Sequence, residues 1–150
     1  MTYYKSESAV AGPNQQKLII EVWTTPDVGA IAWNTNSVSI RVKASTHQNM
    51  YSGDNQTFNR TGNWHGSTTY YMPATPDATV VIADLTYNVS PQQGSTTTVN
   101  YGGNITGHYS GASFSTNVQV VIAAKPYPAS KPTLNASSFD MGTTVTINTN

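Results

Sequence analysis

The chain has 150 residues and a formal charge of zero, because seven basic side chains balance seven acidic ones. Charged residues make up 9% of the chain, far below the roughly 25% of ordinary soluble proteins, and Cys is absent. The scattered basic residues argue against nucleic-acid binding, which needs a basic patch. The lack of Cys excludes disulfide scaffolds and thiolate metal sites. No apolar run predicts a signal peptide or a membrane contact.

Five segments have the alternation or the dense β-forming composition of strands. They are Lys17–Trp23, Ser37–Lys43, Ser67–Met72, Thr79–Tyr87 and Asn117–Ala124. Two weaker strands are predicted at Thr96–Tyr101 and Ile105–Tyr109, with a turn at Gly102-Gly103 between them. Breakers such as Pro and Gly fall between the strong segments.

No window has apolar residues at helical spacing over three turns, so no long helix is predicted. Short strands separated by turn signals favour an all-β fold, an antiparallel β-sandwich of immunoglobulin-like or jelly-roll type. The inward positions of the strong strands predict a core that includes Leu18, Ile20, Val22, Val38, Ile40, Val42, Ile82, Val120 and Ile122. Trp23 and Trp33 are also assigned to the core, since a domain of this size needs its large aromatic side chains inside.

The one compositional boundary is KPYPASKPT, residues Lys125–Thr133. Three prolines in this stretch predict an extended, exposed linker. Residues 1–124 would then form the sandwich, and residues 134–150 would begin a second β module, because Val145 and Ile147 alternate with Thr residues. The chain is therefore interpreted as an amino-terminal piece of a longer protein. The alternative is that the last segment returns to complete the first domain.

Three stretches together resemble a known family. They are NTNSVSIRVKAS (residues 34–45), YNVSPQQGSTTTVNYGGNITGHYSG (87–111) and FSTNVQVVIAAKPYPASKPTLNASSFDMGTTVTI (114–147). These stretches are similar to minor structural proteins of siphophages that infect Gram-positive bacteria. The shared features, in order, are a strand, a polar turn, a Tyr-Ser-Gly segment, a Thr/Val-rich strand, a Pro-rich hinge and an Asp-Met-Gly strand entry. That family includes streptococcal phage tail proteins classed as a domain of unknown function.

The resemblance implies a virion structural protein of the tail tip, fibre or baseplate, assembled in the host cytoplasm and extracellular after lysis. It implies other virion proteins as partners and a homo-oligomer, with a trimer as the leading expectation by analogy with phage fibres. Thr2, Tyr3 and Tyr4 are apolar enough to pack against a neighbouring copy. Contact with bacterial surface glycan would be an additional role.

No catalytic or metal site is predicted, no cofactor is expected, and the chain is interpreted as not an enzyme. The acidic residues are spread singly, whereas a glycosidase needs two facing carboxylates. Glu21 and Asp84 are expected on outward strand faces. His47, His65 and His108 lack ligand spacing. Asp54–Thr57 lacks the glycine and terminal glutamate of a calcium loop and is interpreted as a polar turn.

The aromatic segment TGNWHGSTTYYM offers the best candidate ligand site. Trp64, His65, Tyr70 and Tyr71 could recognise a glycan by stacking and directed hydrogen bonds. For Trp64 itself a core position, as a plug at one end of the sandwich, is favoured over the ligand role. Two rival functions remain: a carbohydrate-binding module for cell-wall glycan, and a cell-wall hydrolase domain, which the missing acid pair disfavours.

Overall fold

The computed structural model describes residues 2–10, 16–25, 38–48, 53–108, 111, 113–127, 133–134 and 147–148. Within Val38–Gln48 the backbone is described, with the side chain of Arg41 alone. Ten β-strands are present in these ranges: β1 Thr2–Val10, β2 Gln16–Thr25, β3 Val38–Gln48, β4 Asp54–Gly62, β5 Ser67–Met72, β6 Ala78–Val89, β7 Thr97–Thr106, β8 Phe114–Ile122, β9 Thr133–Leu134 and β10 Ile147–Asn148. Among the described residues, no helix has the length and apolar character to cross a membrane.

Two four-stranded antiparallel sheets face each other. The first sheet has the order β1-β2-β3-β6, and the second has the order β5-β4-β7-β8. One core joins them, with buried residues from β2 and β6 on one side and from β4, β7 and β8 on the other. The predicted all-β antiparallel sandwich is therefore confirmed.

Two edges of the sandwich lie close together. Strand β1, an edge of the first sheet, runs beside β8, an edge of the second. Ser6 Oγ and Thr116 Oγ1 share a hydrogen bond of 2.6 Å across this seam. Small hydroxyl side chains suit the seam because the two edges approach closely there.

All five strongly predicted segments coincide with strands, although β8 ends at Ile122 rather than at Ala124 and Ser37 lies outside the described residues. The predicted aliphatic core residues whose side chains are described are buried. Leu18, Ile20 and Val22 of β2 are 0% exposed, and Ile82, Val120 and Ile122 are also buried. The side chains of Val38, Ile40 and Val42 lie outside the described residues. Six of the nine predicted core positions are thus confirmed.

Trp23 corrects one core assignment. The inward residues of β2 are the even-numbered ones, so Trp23 lies on the outer face of the first sheet and is half-buried. Its ring contacts Tyr3 with a centroid distance of 5.5 Å. The size of Trp23 suggested a core position, but its odd-numbered position in β2 places it on the outer face. Trp33 lies outside the described residues.

Gly102 and Gly103 do not form a turn but lie inside the continuous strand β7. A Cβ on Gly103 would lie 2.5 Å from Phe58 Cζ, and one on Gly102 would lie 2.7 Å from Thr61 Oγ1. Glycine in a strand can mark a close approach of other groups to the backbone rather than a chain reversal. The prediction of two strands here is therefore wrong, and the reason is packing.

Strands β1 and β4 escaped prediction. Asp54–Thr57, interpreted as a polar turn, is the beginning of β4. The inward positions of β4 include Gln56 as well as Phe58, both 0% exposed, so apolar alternation is weak. In β1 the inward side chains include the polar residues Ser6 and Ser8, so this strand also lacks a clear alternation of apolar and polar residues.

The predicted linker begins in contact with the sandwich. Lys125 N donates to Gln92 O at 2.8 Å, and Gly94 N donates to Lys125 O at 2.9 Å. Residues 128–132 lie outside the described residues. Beyond them β9 and β10 pair with each other, Ile147 opposite Leu134. The predicted boundary at residue 124 stays a prediction.

Candidate functional site

Trp64 enters the space between the sheets from the connection between β4 and β5. Gly62, the last residue of β4, and Gly66, directly before β5, have φ of +93° and +103°, values that residues with a Cβ disfavour. Hydrogen bonds tie the connection to β7: Asn63 N donates to Asn100 O at 2.8 Å, and Asn100 N donates to Asn63 Oδ1 at 2.6 Å. This geometry turns the indole inward, where it is 1% exposed.

One hydrogen bond and several ring contacts hold the Trp64 indole. Its Nε1 donates to Gly102 O at 2.7 Å. Phe58 and Tyr101 meet it edge to face, with centroid distances of 5.7 and 5.9 Å, and the Arg60 guanidinium carbon lies 5.7 Å from the ring centroid. Trp64 is a core residue, in agreement with the favoured interpretation, so it is removed from the candidate glycan-binding residues.

The other three predicted glycan-binding residues do not form one surface. Tyr70 faces inward and its hydroxyl donates to Gln56 Oε1 at 2.7 Å, whereas Tyr71 faces outward and is 59% exposed. His65 is exposed after β4, where its carbonyl oxygen accepts from Arg60 Nη1 at 3.1 Å. Because neighbours along a strand point to opposite faces, Tyr70 and Tyr71 cannot stack on the same ligand.

A buried polar network links the two sheets. Gln16 Nε2 donates to Gln56 Oε1 at 2.5 Å, and Gln56 Nε2 donates to Gln16 Oε1 at 2.9 Å. Gln56 Nε2 also donates to Asp54 Oδ1 at 2.7 Å. Mutual pairing satisfies amide groups whose burial alone would cost free energy, so the network holds β2 against β4. Apolar periodicity could not reveal it, because polar side chains occupy core positions.

His108 lies directly after β7 and is 3% exposed. Its ring meets Phe114 edge to face at a centroid distance of 6.4 Å. Burial lowers the pKa of His108 below its usual 6.5, and the nearby negative charge of Asp54 opposes part of that shift. The folded chain therefore favours the neutral imidazole.

The lowered pKa of His108 predicts a pH-dependent stability. Below about pH 6.5 the unfolded chain binds a proton at His108 more readily than the folded chain does, so stability should fall as the pH falls. Above that pH this contribution is fully present. Urea unfolding followed from about pH 7.5 to about pH 5 measures the slope.

The matched variants are His108→Gln and His65→Gln. We expect His108→Gln to flatten the slope between pH 7.5 and 5, roughly the range set by an imidazole. His65 is exposed, so His65→Gln should keep the wild-type slope. An unchanged slope in His108→Gln would show that other groups control the pH dependence.

The carboxylates of Glu21 and Asp84 lie on the outer face of the first sheet. Glu21 Oε1 accepts a 2.7 Å hydrogen bond from the Tyr3 hydroxyl, and this bond raises the pKa of Tyr3. Asp84 accepts two hydrogen bonds from Arg41, at 2.9 and 2.7 Å. Each of these two carboxylates therefore already accepts a hydrogen bond from a neighbouring side chain. Within the described ranges no cluster of three His, Asp or Glu could hold a metal ion.

The outer face of the second sheet carries no charged side chain in its described strands. Asp54 and Arg60 of β4 belong to the inward set. The outward set consists of the alternate residues Asn55–Thr61, Ser67–Tyr71, Thr98–Thr106 and Ser115–Val121, and almost all of these are Ser, Thr, Asn or Gln. We call this surface the polar face.

An open depression of about 380 Å³ lies on the polar face, where β7 and β8 run side by side. Its lining consists of Asn104, Thr106, Ser113, Phe114 and Ser115. None of these residues was predicted from the sequence to bind a ligand. Ser, Thr and Asn are too common in this chain for their spacing to mark a site, and only strand pairing brings them together.

Comparisons with known proteins give no relative from which a role could be transferred. No protein-family model matches the chain, and no curated protein or solved structure matches it significantly.

Proposed function

We propose that this chain is a structural β module of a phage virion, from the tail tip, fibre or baseplate, which spaces and assembles neighbouring parts. The strand pairing carries the proposal. Eight strands form one sandwich, while β9 and β10 pair with each other and, among the described residues, with neither large sheet. A sandwich followed by a Pro-containing segment and a separate strand pair is the arrangement expected of β modules in series.

The surface chemistry also supports a mechanical role. Charged residues are few, and the carboxylates of Glu21 and Asp84 are held by Tyr3 and Arg41. A low surface charge leaves little like-charge repulsion between copies or neighbouring virion proteins. The resemblance of residues 87–111 and 114–147 to siphophage tail proteins supports the same role.

Assembly as a homo-oligomer, with three-fold symmetry, is part of this proposal. Tyr4 packs against the core of its own chain, so it is less suited to a neighbour than Tyr3, which is 48% exposed. Tyr3 and Trp23 together offer an aromatic contact on the outer face of the first sheet. In a closed symmetry this single patch would be used once by each copy.

Particle composition tests the virion role. Phage particles are purified by density-gradient centrifugation from a strain that carries the gene, and their proteins are measured by mass spectrometry. We expect peptides of this chain to co-purify with the particles at a constant ratio to known tail proteins. An abundant host cytoplasmic protein serves as the control for carry-over. Recovery of the chain only with that control protein would overturn the proposal.

The second candidate function is a carbohydrate-binding module that attaches to cell-surface glycan. The specific observation in its favour is the uncharged depression on the polar face, which offers hydroxyl and amide groups. A cell-wall hydrolase is less well supported, because the Glu21 and Asp84 carboxylates already accept hydrogen bonds from Tyr3 and Arg41.

A further inference from the structure

The depression on the polar face is open to solvent and is lined mainly by Asn, Ser and Thr. Its volume of about 380 Å³ lies within the range of roughly 300–1,000 Å³ typical of small-molecule sites. Asn104 and Ser115 are directly opposite each other on paired strands. Thr106, Ser113 and Phe114 complete the lining, and the Phe114 ring itself belongs to the core, where it is 7% exposed.

The Asn104 side chain is held in one orientation. Its Oδ1 accepts a hydrogen bond from Asn59 Nδ2 at 3.0 Å, which restrains the carboxamide. Its own Nδ2 makes no hydrogen bond with the described part of the chain. A donor fixed in this way is oriented before a ligand arrives, which reduces the entropy lost on binding.

The Ser113 and Ser115 hydroxyls supply the complementary chemistry. Both side chains are exposed, and neither makes a hydrogen bond within the ranges that the structure describes. Each hydroxyl can donate one hydrogen bond and accept two. The rim therefore combines a fixed amide donor with two adaptable hydroxyl groups, a set that matches neighbouring hydroxyls of a ligand.

The absence of charged side chains around the depression favours a neutral ligand. No lining residue is ionisable, and the outward positions of the surrounding strands are also uncharged. An anionic ligand would lose hydration without gaining an opposite charge. A neutral polyol loses less on desolvation, because its hydroxyl groups exchange hydrogen bonds with water for hydrogen bonds with the Asn and Ser side chains.

We infer that this depression binds a neutral saccharide, with Asn104 Nδ2 and the Ser113 and Ser115 hydroxyls bonding to neighbouring sugar hydroxyls. The inference rests on the proposed attachment to surface glycan and gives that role its location and ligand class. It assigns no role to Trp64, His65, Tyr70 or Tyr71.

Titration of the ¹⁵N-labelled full chain with individual sugars, followed by two-dimensional NMR, tests the site. The probes are D-galactose, L-rhamnose and N-acetyl-D-glucosamine, with D-glucuronic acid as the anionic comparison. At least one neutral sugar should shift the signals of Asn104 and Ser115, including the Asn104 side-chain amide. D-Glucuronic acid should bind more weakly than the neutral probe that binds most tightly.

Variants on one strand provide the control. Ser115→Trp should fill the depression and abolish the shifts, whereas Asn117→Trp lies two residues along the same exposed face and should bind as the unmodified chain does. Ser115→Ala removes only the hydroxyl and should weaken binding about three- to tenfold. It remains informative if the larger side chain disturbs folding, which the NMR spectrum itself reports.

Several results would overturn the inference. They are no shift with any neutral sugar, equal loss of binding in Ser115→Trp and Asn117→Trp, or shifts confined to Tyr3 and Trp23. The last result would relocate the glycan site while leaving attachment in place. Because particle composition tests the virion role without any sugar, failure here is distinguishable from failure of that proposal.

Discussion

Replacing Trp64 with alanine is expected to lower the free energy of unfolding by about 3–5 kcal/mol. The change empties the space between Phe58, Tyr87 and Tyr101, whose rings all contact the indole. It also leaves Gly102 O without the indole donor. Against a typical total stability of about 5–15 kcal/mol, this loss could unfold much of the population at 37 °C, roughly the upper end of mesophilic conditions. Urea unfolding monitored by circular dichroism measures it.

Trp23→Ala is the matched control, since it removes the same side chain from the outer face of β2. Trp23 is half-buried and its ring contact is with exposed Tyr3, so the loss should be clearly smaller. Trp64→Phe should be intermediate, because it keeps an aromatic ring but not the N–H donor. If Trp23→Ala destabilised the chain as much as Trp64→Ala does, the assignment of Trp64 as the main aromatic core residue would be wrong.

Gly103→Ala is expected to destabilise the sandwich by about 1–3 kcal/mol, because the added methyl group overpacks the core. The new Cβ would lie 2.5 Å from Phe58 Cζ and 2.8 Å from Asn59 O. Phe58 is 0% exposed, so its ring has no open space into which it could move. Thermal and urea unfolding give the change in stability.

A double-mutant cycle with Phe58→Leu shows whether overpacking is the cause. The smaller side chain should make room for the methyl group, so Gly103→Ala should cost less in the Phe58→Leu background than in the wild type. If the cost of Gly103→Ala were the same in both backgrounds, backbone effects rather than the Phe58 ring would explain it.

The parts of the fold that could be predicted are those where burial and apolar side chains coincide. In β2 the inward residues Leu18, Ile20 and Val22 are aliphatic, so the period of two is visible. In β4 the inward set contains Gln56, whose polar groups are satisfied by Gln16 and Tyr70. A buried polar residue whose hydrogen-bond partner lies on another strand cannot be distinguished from a surface residue by its sequence alone.

The candidate site was the least predictable part, for two physical reasons. Aromatic side chains attract attention as stacking surfaces, but Trp64 is turned inward by glycines with positive φ and by hydrogen bonds to β7. The depression, in contrast, is lined by Asn104 and Ser115. Strand pairing places these two residues in one row with Asn59 and Ser67 on the polar face, although the two pairs are far apart in the sequence. The spacing of these residues along the sequence does not reveal which strands pair.

The uncharged polar face also determines how binding there would respond to the medium. Dissolved ions weaken attraction between charges, and the screening distance shrinks from about 30 Å at 0.01 M salt to about 3 Å at 1 M. Hydrogen bonds from Asn104, Ser113 and Ser115 to a neutral sugar involve no such attraction. Attachment through this surface would therefore keep nearly the same strength in dilute fresh water and in concentrated brine, so a particle carrying it could adhere in either.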